Sequence, residues 1–214
     1  MNCIVTAGPT FEPLDDVRRL TNFSTGRLGT ELANFLTARG HAVTLLLGES
    51  ATWPGERRAG QVKIFSTTKN LRGLLKSFSR NKVDAIFHAA AVSDFAFGRM
   101  FMGEPDGRLE PLEPSRKIST RGGRLLVELL PTPKIIAELR GWHPRALIVG
   151  WKFEADGRRA AVVRTARRQL AECVTDACVA NGPAYGKGFG LVTAGGQKHF
   201  ADKAGLFEAL EKLR

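Results

Sequence analysis

Short apolar runs and helix-period segments alternate along almost the whole chain, and this rhythm leaves few folds open. Residues 2–7 read as a buried strand, and residues 27–39 as a helix with Leu28, Leu32, Phe35 and Leu36 on one face and Gly40 at its C′ position. The near-continuous apolar run at 42–48 is a strand of the kind buried on both faces, and 62–66 is a third strand. Thr67 and Thr68 cap a helix over about 69–80, and a fourth strand follows at 83–88. Helices at about 132–140 and 157–172 precede strands at 145–151 and 175–180. The tail adds antiparallel strands near 188–193 and 197–200, then a helix at 202–213. The expected fold is α/β: a Rossmann-like, doubly wound, mostly parallel sheet with helices on both faces.

The first strand-to-helix connection departs from a dinucleotide-binding unit, which turns at once through G-x-G-x-x-G. Here the strand ends at Thr6-Ala7-Gly8, and a polar loop with Asp15, Asp16, Arg18, Arg19, Asn22, Ser24 and Thr25 intervenes. Only then does the helix open, at Gly26-x-x-Gly29. Such an opening suits a polar, phosphorylated ligand held over a helix N-terminus. Two further segments break the rhythm: 49–61, with a turn at Pro54-Gly55, and 95–123, rich in Gly, Pro and charge with little periodic pattern. Loops of that length are usually functional or mobile. Residues 124–129 then read as a strand that needs a partner. No repeat or linker divides the chain, so 1–214 reads as a single domain with 95–130 as flap and dimerisation segment.

Composition excludes more than it selects. Hydrophobic residues are 43% and charged residues 25% of the 214, ordinary for a globular protein. No apolar run approaches the roughly 20 residues that span a bilayer. The start lacks the charged and apolar regions of a signal peptide, so a cytoplasmic location without membrane association is expected. Cys3, Cys173 and Cys178 lack metal-site spacing and read as reduced thiols, so no protein-held metal is expected. The net charge of +11 would suit nucleic acid, but the cations are spread out. The cluster at Arg158, Arg159, Arg164, Arg167 and Arg168 fits the solvated face of one helix. A basic field also suits small polyanions, so no nucleic-acid partner is expected.

Several short stations share a resemblance. They are Thr6-Ala7-Gly8-Pro9-Thr10, Glu12 to Arg18, Thr21-Asn22-Phe23-Ser24-Thr25-Gly26 with Gly29, and Ala89-Ala90-Ala91-Val92-Ser93-Asp94. Lys117-Ile118, Pro131 to Ile136, Gly150-Trp151-Lys152-Phe153-Glu154 and Val179-Ala180-Asn181 continue the series. In this order they resemble the phosphopantothenoylcysteine synthetase family, across nearly the whole chain. The resemblance implies a ligase of coenzyme A biosynthesis that joins phosphopantothenate to L-cysteine. The family activates the carboxylate with a nucleoside triphosphate, releases pyrophosphate from an acyl-nucleotidylate, and lets the cysteine amine displace the nucleotide. Magnesium with ATP or CTP is implied, as is a homodimer whose subunits reach toward each other's sites.

The same resemblance implies residue roles. Asn22 matches the asparagine at the activated carbonyl, and Lys117 the lysine that meets the triphosphate. Arg18 matches a basic position for the substrate phosphate or an interdomain contact, and Ser24, Gly26 and Arg27 would line the phosphopantothenate site. Gly8, His88, Ala89, Ala90, Asp94, Pro133, Lys134, Ile135, Ile136 and Trp151 fall on nucleotide-contact positions. Departures exist. Pro9 stands where glycine is usual, and Gln169 and Cys173 replace lysines that contact CTP in fused bacterial members. Trp151 to Glu154 looks more like the free-standing eukaryotic branch, which shifts the expected nucleotide toward ATP. Two rivals remain on the residues alone. One is an NAD(P)-binding short-chain-dehydrogenase-like oxidoreductase, which the missing tight glycine turn disfavours. The other is a basic nucleic-acid-binding module.

Overall fold

A computed structural model describes the chain except residues 105–106, 114–116, 120–122 and 214. Part of the 95–130 segment therefore lies outside the described residues. The first strand, β1 (Asn2–Ala7), leads into a short hairpin, β2 (Phe11–Pro13) and β3 (Arg19–Thr21), and then helix α1 (Arg27–Ala38). Strands β4 (Ala42–Gly48) and β5 (Gln61–Phe65), helix α2 (Thr68–Ser77) and strand β6 (Ala85–His88) follow. Next come β7 (Phe95–Gly103), β8 (Leu109–Leu112), β9 (Arg124–Pro131) and α3 (Ile135–Trp142). The chain ends with β10 (Leu147–Phe153), α4 (Arg159–Cys173), β11 (Ala177–Asn181), β12 (Phe189–Thr193), β13 (Gly196–Phe200) and α5 (Lys203–Glu211).

The main sheet runs in the order β13-β12-β11-β10-β6-β1-β4-β5. From β5 to β11 every neighbour pair is parallel, while β12 and β13 are antiparallel. Strand alternation divides the core between two faces. Val5, Ala7, Phe87 and Val149 pack with Leu32 and Leu36 of α1 and Leu206 and Leu210 of α5. Ile4, Ile86 and Ile148 pack with Leu71 and Leu75 of α2 and with Ile135 and Leu139 of α3. The sheet is therefore Rossmann-like with helices on both faces. Thr67 caps α2 as its sequence implied, its side chain accepting the Asn70 N–H.

The structure corrects the reading of 95–123 as nearly patternless. β7 is the central strand of a second sheet, ordered β8-β7-β9. The strand at the 124–129 position, β9, thus finds its partner in its own chain, running antiparallel to β7. A register shift between Phe97 and Met100 breaks the alternation of β7, and this concealed it. The loop of residues 9–25 likewise contains the β2–β3 hairpin, which too few residues supported for its period to show. Helix α3 starts later than expected, because β9 continues to Pro131 and the residue before Pro133 is biased away from helix.

Candidate active site

The parallel strands of the main sheet, taken in sequence, lie in the order 3-2-1-4-5-6. The order in which strands are added reverses between the parallel neighbours β1 and β6, and the connections leaving their C-terminal ends diverge there. This is where open α/β sheets form a ligand crevice. The two loops are stitched together at their base. Ala91 N–H donates to the Gly8 carbonyl at 3.0 Å, and Thr10 N–H donates to the Ala91 carbonyl at 3.1 Å. Beneath them His88, only 6% exposed, is within 3.0 Å of Thr6 Oγ1 through its Nδ1, and Thr6 Oγ1 accepts the Ala90 N–H. Burial pushes the His88 imidazole down to about 4, so it is neutral at physiological pH. His88 therefore supports the crest from below through Thr6.

Asn22 joins the next loop to this crest. Its side-chain amide donates to the carbonyls of Ala91 and Val92, each at 3.2 Å. Beyond it the chain enters α1 through Gly26, whose φ of 80° lies in the left-handed region that favours glycine. Gly26 itself offers no side chain to cap α1; Thr25 Oγ1 accepts the Arg27 N–H at 3.3 Å, and the rest of the first turn faces the crevice without a side-chain cap. Gly29 permits the helix to sit close on β1, since a Cβ there would lie 2.7 Å from Ala7 Cβ and 2.9 Å from the Thr6 carbonyl. Gly8, Ser24, Gly26, Arg27 and Ala89 line one cavity of about 470 Å³. The sequence reading divided these residues between two ligands; the fold gathers them into a single crevice.

The remaining expected residues have mixed surroundings. Asp94 is exposed on the crest. Pro133 and Lys134 are exposed, and Lys134 pairs with Glu172 at 3.8 Å. Ile135 and Ile136 bury their side chains in the core, so only their backbone at the start of α3 is offered. Gln169 and Cys173 are also buried, and Gln169 donates to Cys178 Sγ. Two orphaned polar atoms lie at the same C-terminal edge: Trp151 Nε1 and Asn181 Oδ1 are buried without a hydrogen-bond partner. Leaving such groups unpaired costs about 1–3 kcal/mol each.

Arg18 is committed elsewhere than a free phosphate-binding cation would be. Its Nη2 donates to Asp15, 2.5 Å away, and to the Ile118 carbonyl at 2.7 Å. Asp15 Oδ2 also accepts the Ile118 N–H at 3.1 Å. The two side chains clamp the peptide of Ile118, itself 3% exposed, while neighbouring Lys117 is exposed. Sequence reasoning could not supply this clamp, because its partners lie about a hundred positions apart. The side-chain assignments missed altogether were Glu31, Phe189 and Lys203, which line the crevice with Arg27.

Fold and crevice together define a Rossmann-like α/β fold with a candidate ligand crevice at its topological switch point. The chain belongs to the DNA/pantothenate metabolism flavoprotein C-terminal domain family, which it matches over residues 1–213. The coenzyme A biosynthesis bifunctional protein CoaBC of Thermococcus kodakarensis is 30% identical over 178 residues, covering 83% of this chain and 40% of that protein. The phosphopantothenate–cysteine ligase of Homo sapiens is 26% identical over 211 residues, covering 78% of this chain and 67% of that protein. The chain thus spans about 40% of the length of the bifunctional relatives it matches. A crystal structure of the DNA/pantothenate metabolism flavoprotein from Streptococcus pneumoniae superposes with a TM-score of 0.85 at 26% identity, covering 99% of this chain and 97% of that one. A Cab2 variant in complex with phosphopantothenate-cysteine shares the fold at a TM-score of 0.71 and 21% identity, covering 99% and 89%.

Proposed function

We propose that this chain is a phosphopantothenate–cysteine ligase acting in coenzyme A biosynthesis. The observation that carries the reading is the one cavity lined by both the Gly26 helix start and Ala89, with Asn22 bonded to the Ala91 and Val92 carbonyls of the adjoining crest. In this reading the phosphopantothenate carboxylate attacks the α-phosphorus of a nucleoside triphosphate. Pyrophosphate leaves, and the cysteine amine then attacks the acyl carbon and expels the nucleoside monophosphate. Such a sequence needs positioning and charge stabilisation, not a side-chain nucleophile. The buried thiols suit that demand, since burial pushes Cys3 up to about 11 and Cys178 up to about 12 and keeps both protonated. The start of α1 holds phosphate, and Asn22, without itself titrating, turns one of the N–H groups now given to the Ala91 and Val92 carbonyls toward charge developing at the acyl oxygen. The orphaned Trp151 Nε1 and Asn181 Oδ1 are partners for the nucleotide.

Among the described residues no group of three or more His, Cys, Asp or Glu side chains could hold a metal ion. A magnesium ion arriving with the triphosphate would take its ligands from phosphate oxygens and water. It would neutralise phosphate charge, while the protein orients the reacting carboxylate. A pyrophosphate-release assay with phosphopantothenate and cysteine tests the whole reading, and sustained release over many turnovers that does not depend on both substrates would refute it. With buried Gln169 and Cys173 where CTP-using relatives carry lysine, ATP is used at least as well as CTP. A ratio of specificity constants favouring CTP by more than about tenfold, or about 1.4 kcal/mol, would overturn that preference.

The second sheet is the proposed dimerisation arm. Phe95, Leu109, Leu129 and Leu130 are each 45–47% exposed on it, although all are large and apolar. A two-fold partner covering this arm would bury them and bring Lys117 near a shared site. Sedimentation at micromolar concentration should therefore give a dimer. A monomer there would rule out the arm as an interface. Among the described residues no helix is long and apolar enough to cross a membrane. A cytoplasmic location fits the proposed substrates.

A further inference from the structure

Helix α5 delivers a cation to the crevice from 172 positions away in the chain. Lys203, its first residue, and Phe189, the first of β12, line the same cavity as Gly8, Gly26 and Arg27. Lys203 Nζ lies 2.5 Å from Glu31 Oε1, and Arg27 Nε lies 3.0 Å from that same oxygen. One carboxylate oxygen therefore carries two cations. Burial alone would raise the Glu31 carboxyl, but its bonds to Lys203 and Arg27 outweigh this and hold it below the usual range. Lys203 and Arg27 remain 41% and 60% exposed, so solvent screens both pairs and little stability rests on them. An incoming polyanion can exchange places with Glu31 at small cost. It would meet two cations and the electropositive start of α1 together.

We propose that Lys203 is a ligand-binding residue of this crevice, gripping the phosphates of a nucleoside triphosphate or of the pyrophosphate released from it. Glu31 is the stand-in anion that keeps Lys203 and Arg27 in place while the crevice is empty. The identity of the polyanion rests on the ligase reading above, whereas the geometry of the grip does not. The bland alternative is a tether pinning α5 to α1. The two differ in sign. A tether is weakened alike by loss of either partner, whereas a phosphate grip loses from removal of the lysine and gains from removal of its competitor.

Calorimetric titration of the whole chain with inorganic pyrophosphate and with ATP separates them. Lys203→Met should weaken both affinities by about tenfold, the scale of one charge-assisted contact. Lys203→Arg should restore them to within about threefold, and Glu31→Gln should bind as tightly as the wild type or more so. Three outcomes would overturn the proposal: Lys203→Met affinities within about twofold of wild type, Glu31→Gln weakened as much as Lys203→Met, or no binding of either ligand by the wild type. Parallel ligation assays keep the two readings apart. The expected binding pattern without amide formation would sink the ligase reading and leave the grip standing. Amide formation with an unchanged ATP KM in Lys203→Met would sink the grip alone.

Discussion

Asn22→Asp should lower ligation by more than about tenfold while the protein stays folded, the scale of losing an oriented polar contact. The side chain is exposed, so no core packing is at stake. What changes is the pair of N–H donors that now reach the Ala91 and Val92 carbonyls. An ionised aspartate has no such donor and places negative charge against two carbonyl oxygens. The loop that enters α1 is pushed from the crest, and on the proposed ligase reading the acyl oxygen loses the neutral donor that Asn22 would turn toward it. The fall should appear in kcat more than in the KM for ATP, because the interaction matters most in the transition state. A folded variant turning over near the wild-type rate would remove Asn22 from the site.

Lys117→Gln should leave the assembly intact and lower nucleotide-dependent turnover by about tenfold, chiefly through the KM for the nucleotide. Lys117 is exposed, but the peptide beside it is held by Asp15 and Arg18. Asp15→Ala should therefore reproduce part of the loss with Lys117 still present, and should speed tryptic cleavage after Lys117. The clamp has a defined pH window. The hydrogen bond from Arg18 is the largest influence on Asp15; it and the backbone N–H groups of Ile118, Val17 and Arg18 outweigh desolvation and hold the carboxyl well below its usual range. A carboxyl depressed on folding contributes stability that is complete above its unfolded value, about pH 4, and lost as pH falls through the folded one. Cleavage of the wild type should thus be constant around neutrality and accelerate only in acid. Unchanged ATP saturation in Lys117→Gln would exclude the lysine from the reaction, and unchanged cleavage in Asp15→Ala would exclude the clamp.

Local pattern carried much of this molecule. The apolar runs at 2–7, 42–48 and 175–180, the helix period over 27–39 and the Thr67 cap are properties of neighbouring residues, and each became the element it implied. The family stations are equally local, since Gly26 and Gly29 record a left-handed entry and a close helix–strand approach that admit no larger side chain there. The second sheet escaped that reading because its central strand carries a register shift, which interrupts the alternation by which strands are recognised. Other features are not local at all. Arg18 offers the same guanidinium to any acceptor, and only the return of the chain to residue 118 brought the Ile118 carbonyl to it beside Asp15. Ile135 and Ile136 lie in a motif that resembles a nucleotide contact, yet the direction of α3 sends their side chains into the core. The sequence by itself determined the α/β class, the strands of the parallel sheet and the glycine-bounded helix start, because periods, caps and glycine conformations are set by short-range sterics. Only the tertiary structure decided that β1 and β6 meet at the switch point, that Asp15 and Arg18 clamp the peptide beside Lys117, and that Lys203 joins Arg27 at Glu31, because those contacts depend on where distant parts of the chain are packed.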